Sequence, residues 1–235
     1  MRPGMEVHMA VQPLIEVLES RQLLSAAVQG TDPLTAILVI NGTNKSDTIR
    51  LVMQPAAAPA TPTTLSVELN GAATPFDVAT FAKIQVFGGN GHDTIRVDEV
   101  NGPIGKPVTM RGGNGKDLLV GASEVDVLYG GNGNDNLQGG AGMDSLYGQN
   151  GNDKLDGGAD ADLLDGGRGN DVLSGDGGGD TLIGGPQQDR IRGGAGTDTF
   201  DSRDGRNEVL DRRPKERHGS KPTDGPTQHN GKNDQ

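Results

Sequence analysis

The chain of 235 residues has no cysteine and no tryptophan, and only 3% of it is aromatic. Without cysteine there are no disulfides and no thiolate metal sites, so a chain of this kind outside the cell needs another staple. Few aromatics leave little to line a large apolar substrate pocket. Long hydrophobic runs are missing too; the longest, around AILVI at 36–40, falls far short of the ~18 residues of a membrane span. Positive charge is scarce, with 21 Lys and Arg against 32 Asp and Glu and a net charge of -11. That balance excludes nucleic acid as a natural partner and favours cations. Catalytic signatures are absent as well: there is no H-E-x-x-H, G-x-S-x-G or P-loop. Of the four histidines, His218 and His229 lie in a polar tail and His92 reads as a solvated turn residue. The chain is therefore not read as an enzyme.

What is abundant is glycine, 39 residues beside a hydrophobic share of 32%. Its distribution is periodic. From 112 to 201 ten nine-residue units follow without a gap: GGNGKDLLV, GASEVDVLY, GGNGNDNLQ, GGAGMDSLY, GQNGNDKLD, GGADADLLD, GGRGNDVLS, GDGGGDTLI, GGPQQDRIR and GGAGTDTFD. Place one is always Gly, place six always Asp, and place eight always Leu, Ile or Phe. An earlier unit, GGNGHDTIR, stands alone at 88–96, and a degraded one, GTNKSDTIR, at 42–50. A flexible glycine-rich linker would not hold an apolar residue at one place through ten units.

The flanks differ. Residues 1–30 read as a leader-like segment, with Val11, Leu14, Ile15 and Leu18 at helical spacing and no unbroken apolar signal core. Residues 31–111 read as an irregular β-strand region, with alternation at Leu65, Val67 and Leu69 before the Asn70-Gly71 turn, and again at Ile84 and Val86. The Pro- and Ala-rich stretch at 54–63 breaks it. Residues 202–235, polar and of mixed charge, read as a disordered tail.

In the repeats, places seven to nine make a short strand whose place eight faces an interior. Leu119, Leu128, Leu137, Leu146, Leu155, Leu164, Leu173, Leu182, Ile191 and Phe200 then form one narrow ladder. Glycines at places one, two and four supply the left-handed turns that reverse the chain. Two units make an 18-residue coil, so the place-six residues stack in two columns. Asp117, Asp135, Asp153, Asp171 and Asp189 form one and Asp126, Asp144, Asp162, Asp180 and Asp198 the other, and Asp93 of the isolated earlier unit is a further candidate metal ligand. Coils about 4.8 Å apart set neighbouring carboxylates against each other by roughly 1 kcal/mol in a water-like medium and about 3–4 at an effective dielectric near 20. Over the gaps of both columns this sums to on the order of 10 kcal/mol, comparable with a domain's whole stability of ~5–15 kcal/mol. A divalent cation between coils reverses the sign. Carboxylates with backbone carbonyls, and no His or Cys, select calcium over zinc and over the more strongly hydrated magnesium. The carbonyl donors expected are those of the turn glycines: Gly113, Gly115, Gly131, Gly133, Gly140, Gly142, Gly151, Gly167, Gly169, Gly194 and Gly196. Tighter sites are expected between Asp117, Asp135, Asp153 and Asp171, weaker ones where Glu124 and Gln187 replace glycine.

The unit GGxGxDxUx resembles the nonapeptide of hemolysin-type, repeats-in-toxin (RTX) calcium-binding proteins. The resemblance implies an all-β protein with a right-handed parallel β-roll over 112–201 and calcium as cofactor. It also implies a secreted or cell-surface location, folding linked to metal, and a structural or adhesive role. A surface polysaccharide or protein partner and the oligomeric state stay open. VLESRQLLSA at 17–26 resembles the LEPR-XLL motif found near the start of many large bacterial surface proteins, with Ser20 in the place of its Pro. The alternative is an accessory module or remnant of a secreted enzyme, with a site within 31–110.

Overall fold

A computed structural model describes residues 25–55, 63–201, 207–210 and, by backbone only, 217–218. Two ten-stranded sheets make up the fold. The first stacks β1 (Ser25–Gln29), β2 (Ile37–Asn41), β6 (Lys83–Asn90), β8 (Val108–Asn114), β10 (Val127–Asn132), β12 (Ser145–Asn150), β14 (Leu163–Arg168), β16 (Thr181–Ile183), β18 (Thr199–Asp201) and β20 (Arg217–His218). The second runs from β19 (Glu208–Val209) through β17 (Arg190–Ala195), β15 (Val172–Gly177), β13 (Lys154–Ala159), β11 (Asn136–Gly140), β9 (Leu118–Val120), β7 (Thr94–Asp98) and β3 (Thr48–Met53) to β4 (Thr64–Leu69) and β5 (Ala72–Asp77). Successive repeats alternate between the sheets, which makes every long ladder parallel. Leu128 pairs with Leu146 and Leu146 with Leu164 in one; Leu137 pairs with Leu155 in the other. This is a parallel β-roll.

The place-eight ladder fills the space between the sheets. From Leu119 to Phe200 each member is at most 2% exposed, so each contributes about 1.5–3 kcal/mol of burial. Strand alternation also turns places six and one inward, while places seven and nine face out.

The segment 31–111 is drawn into these same sheets. Ile84 pairs with Val108, and Leu38 with Ile84, so three buried apolar residues continue the column in which Asp126 stands. The units at 42–50 and 88–96 supply β3 and β7 of the other sheet, with Ile49 opposite Ile95. The irregularity lies at the edge. The hairpin β4–β5, turned by Asn70 and Gly71 at φ 49° and 85°, adds antiparallel strands to β3. Arg50 fastens it, reaching Glu68 at 3.0 Å and Asp98 at 2.8 Å. At the other sheet's edge β1 lies antiparallel to β2, so the chain is ordered before residue 30, within the stretch read as a leader. The expected helix of Val11, Leu14, Ile15 and Leu18 lies outside the described residues, as do positions 56–62 of the proline-rich stretch.

The roll also passes the expected boundary at 201. β19 pairs with β17 and β20 with β18, each in parallel register. Asn207 sits at place six of this further unit and carries the hydrogen bond that an Asp carries elsewhere: its Oδ1 accepts from the Asp189 N–H at 3.1 Å.

Candidate metal centre

The place-six carboxylates do not stand on the flanks of the roll. All eleven from Asp93 to Asp198 are 0–4% exposed, inside the turns that join the sheets. One oxygen of each is tied to the main chain. The N–H of one rung donates to Oδ1 of the rung below it: Asp117 to Asp135 at 2.8 Å, Asp135 to Asp153 at 2.7 Å, Asp153 to Asp171 at 2.8 Å. The second column repeats this from Asp126 to Asp144 and Asp144 to Asp162, both at 2.8 Å. A side chain thus takes a strand-like hydrogen bond at each crossover, which orients the carboxylate and continues the ladder through the turn.

The other oxygen is left over. Oδ2 of Asp93, Asp117, Asp135, Asp144, Asp153, Asp162, Asp171, Asp180, Asp189 and Asp198 is buried with no hydrogen-bond partner. Buried anionic oxygens without partners cost several kcal/mol each, and one such atom is rare in a native protein; ten in register imply a ligand. The cost registers in acidity. Burial, opposed by the main-chain N–H and reinforced by neighbouring carboxylates, raises Asp144 to about 8 and Asp153 and Asp162 to about 7. Asp93, Asp126, Asp135 and Asp171 rise to about 6, again chiefly through burial. Mutual repulsion, the cause expected from the spacing, is the smaller contribution.

Glycine at place one has a reason the sequence did not disclose. Its φ is not left-handed; its α-hydrogen points at the orphaned oxygen. A Cβ on Gly130 would collide with Asp135 Oδ2 and crowd the carbonyl of Gly148, and one on Gly148 would meet Asp153 Oδ2 and the carbonyl of Gly166. The room held open there is bordered by a carboxylate oxygen and a backbone carbonyl oxygen. Among the described residues no three His, Cys, Asp or Glu side chains gather as a metal cluster, so any ion held here needs main-chain oxygens as well. An all-oxygen donor set of this kind fits a hard cation such as calcium.

Two rungs differ. Asp126 Oδ2 accepts from the Ala122 N–H at 2.8 Å and its Oδ1 from the Val108 N–H at 2.9 Å, so its carboxylate is satisfied by protein alone. Asp47, which the sequence reading did not single out, accepts from the Thr43 N–H and hydroxyl and from Asn70 Nδ2. Each is the first Asp of its column. In both units place two is not in the left-handed region, and its N–H turns back onto the carboxylate. Where Gly131 takes φ 119° instead, no such bond forms and Asp135 keeps its free oxygen.

The turn glycines named from the sequence all hold positive φ, from Gly113 and Gly115 to Gly194 and Gly196. Of the replacements, Gln149, Asp160, Asp176 and Gln187 adopt positive φ all the same, at 77°, 74°, 66° and 87°. The loop at Gln187 keeps its shape, with Gln187 Oε1 accepting the Gly169 N–H, and Asp189 Oδ2 remains unpartnered. Among the ten contiguous units only GASEVD, with Ala122 and Glu124, departs.

The family described as RTX calcium-binding nonapeptide repeat (4 copies) matches residues 111–145, 138–173 and 174–209. A search among curated proteins finds no match. The matched stretch contains both columns of orphaned carboxylates except Asp93. Residues 111–209 therefore carry RTX calcium-binding nonapeptide repeats, and calcium is the ion they bind.

Proposed function

We propose that this chain is a calcium-dependent structural module that works outside the cell or at its surface, without catalysis of its own. The observation that carries the reading is the register of ten buried, unpartnered Oδ2 atoms. In this reading Asp117, Asp135, Asp153, Asp171 and Asp189 hold ions along one side, with Asp93 above them. Asp144, Asp162, Asp180 and Asp198 do so along the other, each with carbonyls of the adjoining glycine turns. Bound calcium supplies the positive charge and the open coordination sphere that these oxygens lack. The residues do the rest: the main-chain N–H aims each carboxylate, and place-one glycine keeps the space clear.

Millimolar calcium outside cells and its scarcity inside support an extracellular setting for sites that depend on carbonyls and few charges. The non-catalytic reading is supported by how 31–110 is used: its described strands form the edge hairpin β4–β5 and coils whose place six is Leu38, Ile84 or Val108 on one side and Asp47 or Asp93 on the other. Far-UV circular dichroism during calcium titration, with magnesium as control, tests the reading. The β signal should develop with calcium and not with magnesium at equal concentration; a full signal in chelator at neutral pH contradicts it.

A further inference from the structure

Two ladders on the outer face of the first sheet end at the same coil. Place nine carries Phe87, Arg111, Tyr129 and Tyr147 in successive rungs. The Arg111 guanidinium lies 5.9 Å from the Phe87 ring centre and 4.4 Å from that of Tyr129. Tyr147 stacks on Tyr129 at 5.0 Å with the planes 10° apart. On the next rung the partner of Tyr147 is Asp165, and among the described residues no further ring or guanidinium stacks on the ring face turned away from Tyr129. The second ladder runs through place three. Asn90, Asn114, Asn132 and Asn150 are joined side chain to side chain at 2.6–3.0 Å, each Nδ2 donating to the Oδ1 of the coil before. It stops at Asn150, whose partner on the next coil is Arg168, and no described side chain donates to Asn150 Oδ1.

Both loose ends open into one cleft of about 300 Å³, lined by Tyr147, Asn150, Asp165 and Arg168 among others. It continues into a second hollow of about 520 Å³ that shares Tyr129, Gln149 and Asn150 and reaches Arg111. The geometry points to a groove for a neutral polysaccharide, with one sugar ring on the open face of Tyr147 and its hydroxyls between Asp165, Arg168 and Asn150. A sugar offers a C–H face to the electron-rich ring and a rim of hydroxyls that donate and accept together, matching a wall of carboxylate, guanidinium and amide. Charge selects against the other occupants. A cationic side chain would meet Arg111 and Arg168, and an acidic chain would meet Asp165. The groove is walled by outward side chains and bordered by Gly113, Gly131 and Gly167 of the turns, so it rests on the roll being folded with its calcium.

Tyr129 and Tyr147 are the only tyrosines and there is no tryptophan, so tyrosine emission of the full chain reports on this stack alone. Titration in saturating calcium with dextran, mannan and mixed-linkage β-glucan, beside alginate and polyarginine, should give a saturable change with at least one neutral glycan. Tyr147→Ala and Asp165→Ala should weaken that affinity about tenfold or more, with Tyr147→Phe near the parent value. Binding of alginate or polyarginine in place of neutral glycans overturns the proposal, as does no binding by any of the five. A Tyr147→Ala protein that folds by circular dichroism and keeps full affinity also overturns it. Should that variant not fold, Arg168→Ala, at an exposed position, decides: affinity lost supports the groove, affinity unchanged refutes it.

Discussion

Stripped of calcium, the roll should be more stable in mild acid than at neutral pH. An unfolded Asp titrates near its ordinary 3.8, whereas the folded protein raises Asp144 to about 8, Asp153 and Asp162 to about 7, and Asp135 to about 6. Between those values the folded state binds more protons than the unfolded. Stability is therefore fully present below the ordinary value and is lost as pH rises through the folded ones. Each unit is worth about 1.4 kcal/mol, so two units in only two carboxyls come to roughly 6 kcal/mol, a large part of a domain's ~5–15. Asp98, held below the usual range by Arg50, acts in the opposite direction, but its window lies below 3.8. The assay is thermal unfolding by circular dichroism in chelator, in steps from about pH 4.5 to about pH 8, with excess calcium at the upper end as control. The midpoint should fall across the series and calcium should restore it. A midpoint that is flat or rises with pH refutes the burial argument.

Three mutational experiments probe the rest. Asp135→Ala should weaken calcium binding, measured by calorimetry, more than Asp126→Ala, because Asp126 already has both oxygens satisfied; equal effects contradict this. The double substitution Ala122→Gly with Glu124→Gly should free Asp126 Oδ2 and raise the calcium stoichiometry by one, and an unchanged count would show that the loop's path does not decide occupancy. Leu146→Ala, at a fully buried rung, should cost about 2–5 kcal/mol in denaturant unfolding with calcium present; a loss below about 1 kcal/mol would mean that the ladder is not the core.

Much of this was legible in the repeats because their alternation is strict. A side-chain period of two fixes place eight inside, and an 18-residue coil follows from two crossovers per turn. The parity that buries Leu146 also buries Asp144; the main-chain donor waiting at each crossover satisfies one of its oxygens and leaves the other for an ion. The first coils were hidden for a different reason. Leu38, Ile84 and Val108 take the Asp place without any glycine signature, and an insertion separates Asp47 from Asp93 by 46 residues. The loop shapes differ at the two replaced glycines: at Gln187 a side-chain amide accepting the Gly169 N–H accompanies the left-handed turn, and at Glu124 that turn is not made. Nothing in the spacing of residues reveals that Ala122 closes its loop onto Asp126.

The most direct measurement is anomalous X-ray scattering from crystals grown in calcium. Peaks should lie beside Oδ2 of Asp135, Asp153 and Asp144, in the space that place-one glycine keeps open, with none bonded to Asp126 Oδ2. Water alone beside those oxygens, or calcium only on the outer faces of the sheets, would contradict the account.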